Sequence, residues 1–240
     1  EFINYLLSLP PNLTGMRTFL LIFISLLFIT IKTAAQPKHE IRATWITTLG
    51  GMDWPRNKAT NANGIRRQQQ ELRDILDQLK EANFNTVMLQ TRLRGDLIYP
   101  SAFETFPEAL TGKTGRNPGY DPLAFAIEEC HKRGMELHAW IVTIPIGNHR
   151  QIKLLDKYSV VRKNRKICKQ YQGFWYLDPG HPGTADYLAG IVREIVSRYD
   201  IDGIHFDYIR YPEKTEKTTQ DWRRDYITRI MRQLYNAIKE

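Results

Sequence analysis

Cys130 and Cys168 are the only thiols in 240 residues, so at most one disulfide can form. Neither belongs to a Cys pair and no His-x-x-His spacing occurs, which removes the usual zinc patterns; no metal or cofactor is expected. A membrane span needs about 20 consecutive apolar residues. The longest run here, 19–31, is shorter than that. No glycine-rich phosphate turn follows the first predicted strand, which weighs against a nucleotide-binding doubly wound sheet. "GKTG" at 112–115 does not replace it, because no strand precedes it and no helix follows. Internal repeats and low-complexity linkers are also missing. Acidic residues are outnumbered, 26 against 34 Lys and Arg, which leaves a formal charge of +8. What is present, 42% hydrophobic and 25% charged residues, suits one globular domain with a real core.

The run at 19–31 has its own reading. "MRTFLLIFISLLFITIKTAAQ" has a basic start at Met16 and Arg17, then the apolar run, then Thr33 and Ala35 as small residues before a cleavage point. That is the layout of a secretory signal peptide over 16–35, with an uncleaved N-terminal anchor as the alternative. No cysteine follows the run, which argues against a lipid anchor. Residues 1–15 precede the first methionine and read as translated upstream sequence. Export would place 36–240 outside the cytoplasm, touching the membrane only through its export signal. Removing Glu1, Arg17 and Lys32 lowers the charge from +8 to +7, so the exported part stays basic and is attracted to anionic surfaces. The densest basic stretch, "KYSVVRKNRKICKQYQ" at 157–172, is either a solvated loop or an anion site. In such a compartment Cys130 and Cys168 could pair, or Cys130 could remain a buried thiol on a helix.

From residue 41 onward short β-rich runs alternate with longer amphipathic stretches, the pattern of βα units around a parallel sheet. The predicted strands are "IRATWITT" (41–48), "TVMLQTRL" (86–93), "ELHAWIVT" (136–143) and "DGIHFDYI" (202–209). The first predicted helix has Leu72, Ile75, Leu76 and Leu79 on one face. The second opens at Asp121-Pro122, a cap followed by proline in the first turn, and stops at Gly134. A third covers 184–199, and a fourth carries Trp222, Tyr226, Ile230, Leu234 and Ile238 at helical spacing. Two long connections, 94–120 and 144–183, follow strands and precede helices. Both therefore lie where strand C-termini emerge, the face on which (β/α)8 barrels build their sites. Four βα units make half of such a barrel, and eight typically take ~250 residues. The chain accordingly reads as an α/β TIM barrel of which it carries roughly the first half, the front of a longer gene product.

The last predicted strand is the most unusual. "IDGIHFDYIRYP" (201–212) sets Asp207 in an apolar run, where an unpaired charge is costly. Alternation along a strand puts His205 and Asp207 on one face, and likewise His138 with Trp140 and Gln90 with Arg92. If these faces line the barrel mouth, they converge with Arg94 and Asp96 from the following loop. Asp207 is then the candidate for chemistry, because glycoside cleavage needs carboxylates flanking the scissile bond. An ion pair between Asp207 and Arg210, tying strand to loop, is the structural alternative. Asp202, followed by Gly203, reads as a turn or cap at the start of the strand. Trp140, Trp175 and Tyr211 suit stacking on sugar rings or ordinary burial.

"RATWITT", "DWP", "NTVMLQTR", "GD", "YPS", "LTGKTGRNPGYDPLAFAIEECHKRGMELHAW", "WYLDPGHP" and "YDIDGIHFDYIRYP" occur in order between residue 40 and about 212. Together they resemble the glycosyl hydrolase-like 10 family, formerly domain of unknown function 187. The resemblance implies an exported bacterial TIM-barrel glycosidase whose relatives act on cell-wall glycan, including peptidoglycan strands stripped of stem peptides. It puts the signature carboxylate on Asp207 and mouth residues on Arg92, Asp96, His138, Trp140, Asp178, Tyr208, Arg210 and Tyr211. It also implies later strands and a second catalytic carboxylate with no counterpart in this sequence. The expected activity is glycoside hydrolysis of a polysaccharide, with a turnover-free carbohydrate-binding barrel as the alternative. Charge alone would also suit nucleic acid, whose binding collapses as salt rises; no nucleic-acid partner is expected.

Overall fold

A computed structural model describes residues 40–212 and 218–240, so the expected signal peptide and the stretch before it lie outside the described residues. The unit Arg42–Glu240 is built on four parallel strands. They are β1 (Ala43–Ile46), β2 (Thr86–Arg92), β3 (Glu136–Val142) and β7 (Gly203–Asp207), in the spatial order β1-β2-β3-β7. Each falls inside its predicted run. Parallel neighbours need crossovers, and these are helical: α1 (Ala62–Glu81), α3 (Pro122–Lys132) and α6 (Pro182–Arg198), with α7 (Gln220–Lys239) after β7. The α3 start is as the sequence predicts, since Asp121 Oδ1 accepts from the amides of Leu123 and Ala124 at 3.1 Å each and Pro122 occupies the first turn.

One apolar core lies between the outer face of the sheet and the helices, where Leu72 and Leu76 of α1 and Leu123 and Ile127 of α3 meet Val87, Leu89, Leu137 and Ala139. The opposite face is concave. Trp45 of the first strand reaches His205 of the fourth with ring centroids 5.8 Å apart, although two strands separate them in the sheet. The four units thus carry the curvature and order of a (β/α)8 barrel over half its circumference.

The connection 94–120 contains a one-turn helix, α2 (Glu108–Thr111). The connection 144–183, expected as a loop, is built. It holds β4 (Pro145–Asn148), α4 (His149–Leu155), α5 (Val160–Lys163), β5 (Cys168–Tyr171) and β6 (Phe174–Leu177), the strands forming an antiparallel sheet in the order β4-β6-β5. A second core under this sheet joins Ile144, Ile146, Trp175 and Leu177 to Leu188 and Val192 of α6 and to Ile230 and Leu234 of α7. The basic stretch 157–172 is therefore partly structural, with Val160, Val161 and Ile167 buried. Cys130 and Cys168 do not pair: both thiols are free, and burial pushes each up to about 12. Asp202, expected as a turn or cap, instead ties the start of β7 to its neighbour, its Oδ2 accepting the amide of Leu137 in β3 at 2.8 Å and lying 2.9 Å from His131 Nε2.

Candidate functional site

The C-terminal ends of β3 and β7 lie side by side, with Val142 paired to Asp207. The carbonyl of Asp207 accepts two bonds from Thr143, from the amide at 2.9 Å and from Oγ1 at 2.8 Å. Its carboxylate is oriented by two donors. Oδ2 takes the Trp140 indole Nε1–H at 3.0 Å and Oδ1 the amide of Tyr208 at 2.6 Å. Tyr208 adopts φ 50°, a left-handed conformation that costs a non-glycine residue about 1 kcal/mol or more. Such strain at a strand tip is typical of sites where geometry serves function. The ion pair with Arg210 is not formed; that guanidinium lies 4.7 Å from the centroid of the Tyr208 ring.

Asp207 opens into a cavity of about 390 Å3. Trp140, Tyr208, Phe174 and Tyr176 supply aromatic walls, while Arg94, Arg210 and Gln90 supply polar ones. Phe174 and Tyr208 are exposed, offering ring faces to a ligand. Gln90 is buried, and its Oε1 accepts from Thr47 Oγ1 at 2.7 Å and the Thr48 amide at 3.0 Å, leaving its NH2 as a donor for the cavity. A rigid apolar body with a few convergent polar groups is the usual make-up of a small-ligand site, and flat aromatic faces match the apolar faces of pyranose rings.

Of the predicted mouth residues, Trp140, Asp207, Tyr208, Arg94 and Arg210 share this cavity. The others stand elsewhere. Arg92 is wholly buried, its guanidinium bonded to Glu104 through Nε (2.8 Å) and NH2 (2.6 Å) and to the carbonyls of Val142 (2.5 Å) and Thr143 (2.8 Å) through NH1. The cause is a bulge between Gln90 and Arg92. Gln90 pairs with Trp140 but Arg92 pairs with Ile141, so Arg92 turns to the core side instead of sharing the face of Gln90. His138 does lie on the face of Trp140, but it pairs with Gly203 near the start of β7 and bonds Glu136 Oε2 at 3.2 Å, several residues below the mouth. His205 sits one step beneath Asp207, between the rings of Trp45 and Trp140. Asp178 takes the Gly180 amide at 2.9 Å in the turn that starts α6, and Tyr211 packs on Trp222 with centroids 5.6 Å apart. Trp175 is buried beneath the Arg165 guanidinium.

Asp96 borders a second cavity of about 410 Å3 that shares Leu49, Leu93 and Arg94 with the first. Burial, with the Glu104 carboxylate adding to it, pushes Asp96 up to about 6. Gln90 lines the cavity as its place on the mouth face implies, whereas sequence reasoning missed Phe174 and Tyr176 as cavity residues. Alternation through "FWYL" would have found the last two, since it sets Trp175 on the face opposite to Phe174 and Tyr176.

The family model for "Glycosyl hydrolase-like 10" matches residues 40–221. The chain belongs to the glycosyl hydrolase-like 10 family. It is 35% identical over 224 residues to glycosyl hydrolase YngK of Bacillus subtilis (strain 168), covering 85% of this chain and 43% of that one. To glycosyl hydrolase DigH of Escherichia coli (strain K12) it is 32% identical over 236 residues, 86% of this chain and 54% of that one. The chain thus spans about half the length of these curated relatives. The fold is similar to that of an alpha-galactosidase from Thermus thermophilus, with a TM-score of 0.53 and 13% identity over 83% of this chain and 36% of that one. In this member of the glycosyl hydrolase-like 10 family, the matched residues include both strand ends that hold the Asp207 carboxylate.

Proposed function

We propose that the chain contributes one side of the active site of a glycoside hydrolase acting on polysaccharide, with Asp207 as one of its catalytic carboxylates. The observation that carries the reading is the Asp207 carboxylate, held by the Trp140 indole and the Tyr208 amide at the edge of a cavity walled by four aromatic rings. Glycoside cleavage requires carboxylates set against the scissile bond, and barrel enzymes mount them on strand ends. The rings stack on the sugar while Gln90, Arg94 and Arg210 bond its hydroxyl and anionic substituents. Membership of the glycosyl hydrolase-like 10 family supports the same reaction class.

The substrate we propose is the glycan of bacterial cell-wall peptidoglycan, met in the periplasm or at the cell surface after export by the signal peptide read at 16–35. The basic charge of the chain supports this, since an anionic wall attracts it. The test is Asp207→Asn in the full-length gene product, assayed on glycan strands freed of peptide. Hydrolysis should fall by about a hundred- to ten-thousandfold, while glycan binding persists. A parent protein that binds glycan without ever cleaving it would reduce the site to a carbohydrate-binding one.

A further inference from the structure

We propose that the buried Arg92–Glu104 pair is a positioning device for the Asp207 carboxylate, acting through Thr143. For its catalytic meaning this rests on the function proposed for Asp207; its structural content does not.

The bonds form an unbroken series. Glu104 grips Arg92 at two points, and Tyr187 donates its hydroxyl to Glu104 Oε1 at 2.9 Å. The remaining guanidinium nitrogen, NH1, donates to the carbonyls of Val142 and Thr143, the last strand residue of β3 and the one after it. Thr143 in turn donates twice to the carbonyl of Asp207. Arg92 and Glu104 have no exposed side-chain surface, so neither can touch a substrate. Burial alone would lower the Arg92 pKa, but the paired carboxylate more than reverses that, and the guanidinium remains charged.

The pairing of β3 with β7 ends at Val142 and Asp207, so the two Thr143 bonds are the last that hold the tip, and the Asp207 side chain is on that tip. A planar guanidinium can hold a carboxylate on one edge and two successive carbonyls on the other; an ammonium offers no such fixed fork. This explains why an ion pair that could be replaced by apolar packing without loss of stability sits directly behind the site.

The Trp140 indole reports the carboxylate directly, because its N–H ends on Asp207 Oδ2. In tryptophan-15N-labelled full-length protein, the Trp140 indole resonance is first identified by its loss in Trp140→Phe and its shift in Asp207→Asn. Thr143→Val, which deletes one hydroxyl at nearly constant volume, should shift the same resonance; Thr143→Ser, which keeps the hydroxyl, should leave it in place. Glu104→Gln and Arg92→Lys should shift it too. On glycan, Thr143→Val and Arg92→Lys should lower kcat by about tenfold or more, as a displaced catalytic group does, with KM unchanged and Thr143→Ser restoring the rate. An unmoved indole resonance in Thr143→Val overturns the proposal whatever the activity, as does a rise in KM at constant kcat. A shifted resonance in a protein that never hydrolyses glycan leaves the positioning intact and removes the hydrolase reading instead.

Discussion

Two carboxylates, Asp96 and Glu104, stand near the single guanidinium of Arg92, and Glu104 takes its bidentate face. Asp96 is left half-buried beside a like charge, with a long bond of 3.5 Å from the Arg94 amide, and its pKa rises to about 6 from an ordinary 3.8. The consequence for stability has a definite sign. Below about pH 4 the carboxyl is protonated in both the folded and unfolded chain and has no effect. Between 4 and 6 the unfolded chain releases the proton while the folded one keeps it, so stability falls as pH rises, and above 6 the full penalty remains. Two units correspond to about 3 kcal/mol, reduced to the order of 2 kcal/mol by water reaching the carboxylate from the cavity it borders. Asp96→Asn should therefore raise the urea midpoint over the parent at pH 7.5 and give no gain at pH 4. A gain that is equal at both pH values would show that ionisation of Asp96 is not the cause.

At the scale of elements, the start of α1 shows how tightly the connections are fitted to the helices. Asn61 caps the helix by accepting the Gly64 amide at 2.9 Å, and a Cβ on Gly64 would meet the Lys58 carbonyl oxygen at 2.3 Å. Alanine is the better helix former by about 1 kcal/mol, yet here it must push backbone aside, at a cost of about 1–3 kcal/mol. Gly64→Ala should lower the urea midpoint, and a midpoint at or above that of the parent would contradict the packing. Elements of this length were legible in the sequence: Asp121-Pro122 announces α3, and the runs around Trp45, Leu89, Ala139 and Phe206 give the four strands. The strands β4, β5 and β6 were not, because the alternation in "FWYL" is visible in the sequence but the antiparallel partners that turn it into a sheet are not. The bulge before Arg92 was equally hidden, since a one-residue slip leaves composition unchanged while turning a side chain to the other face. His138 illustrates a third gap. Alternation gives the face of a residue but not its height along the strand, and height separates His138 from the mouth that Trp140 reaches.

For the molecule as a whole, the concave face decides behaviour in solution. Trp45 is 52% exposed there, and among the described residues β1 and β7 each pair along one side only. Exposed apolar surface beside unpaired strand edges promotes association between copies. A formal charge of +8 opposes it by mutual repulsion, but that repulsion is screened over about 10 Å at 0.1 M salt, whereas apolar contact and strand pairing are not weakened in the same way. The 240-residue chain on its own should thus sediment as larger species as salt is raised from about 0.02 M to 0.5 M, and it should hydrolyse no glycan, since the four parallel strands among the described residues make half of a barrel. Trp45→Lys, which puts a charge on the inward face of an outer strand, should reverse much of the association at constant salt. A cooperative, active monomer across that salt range would mean that the curved sheet is complete as it stands and that the exposed tryptophan belongs to the ligand site, not to a surface awaiting further strands.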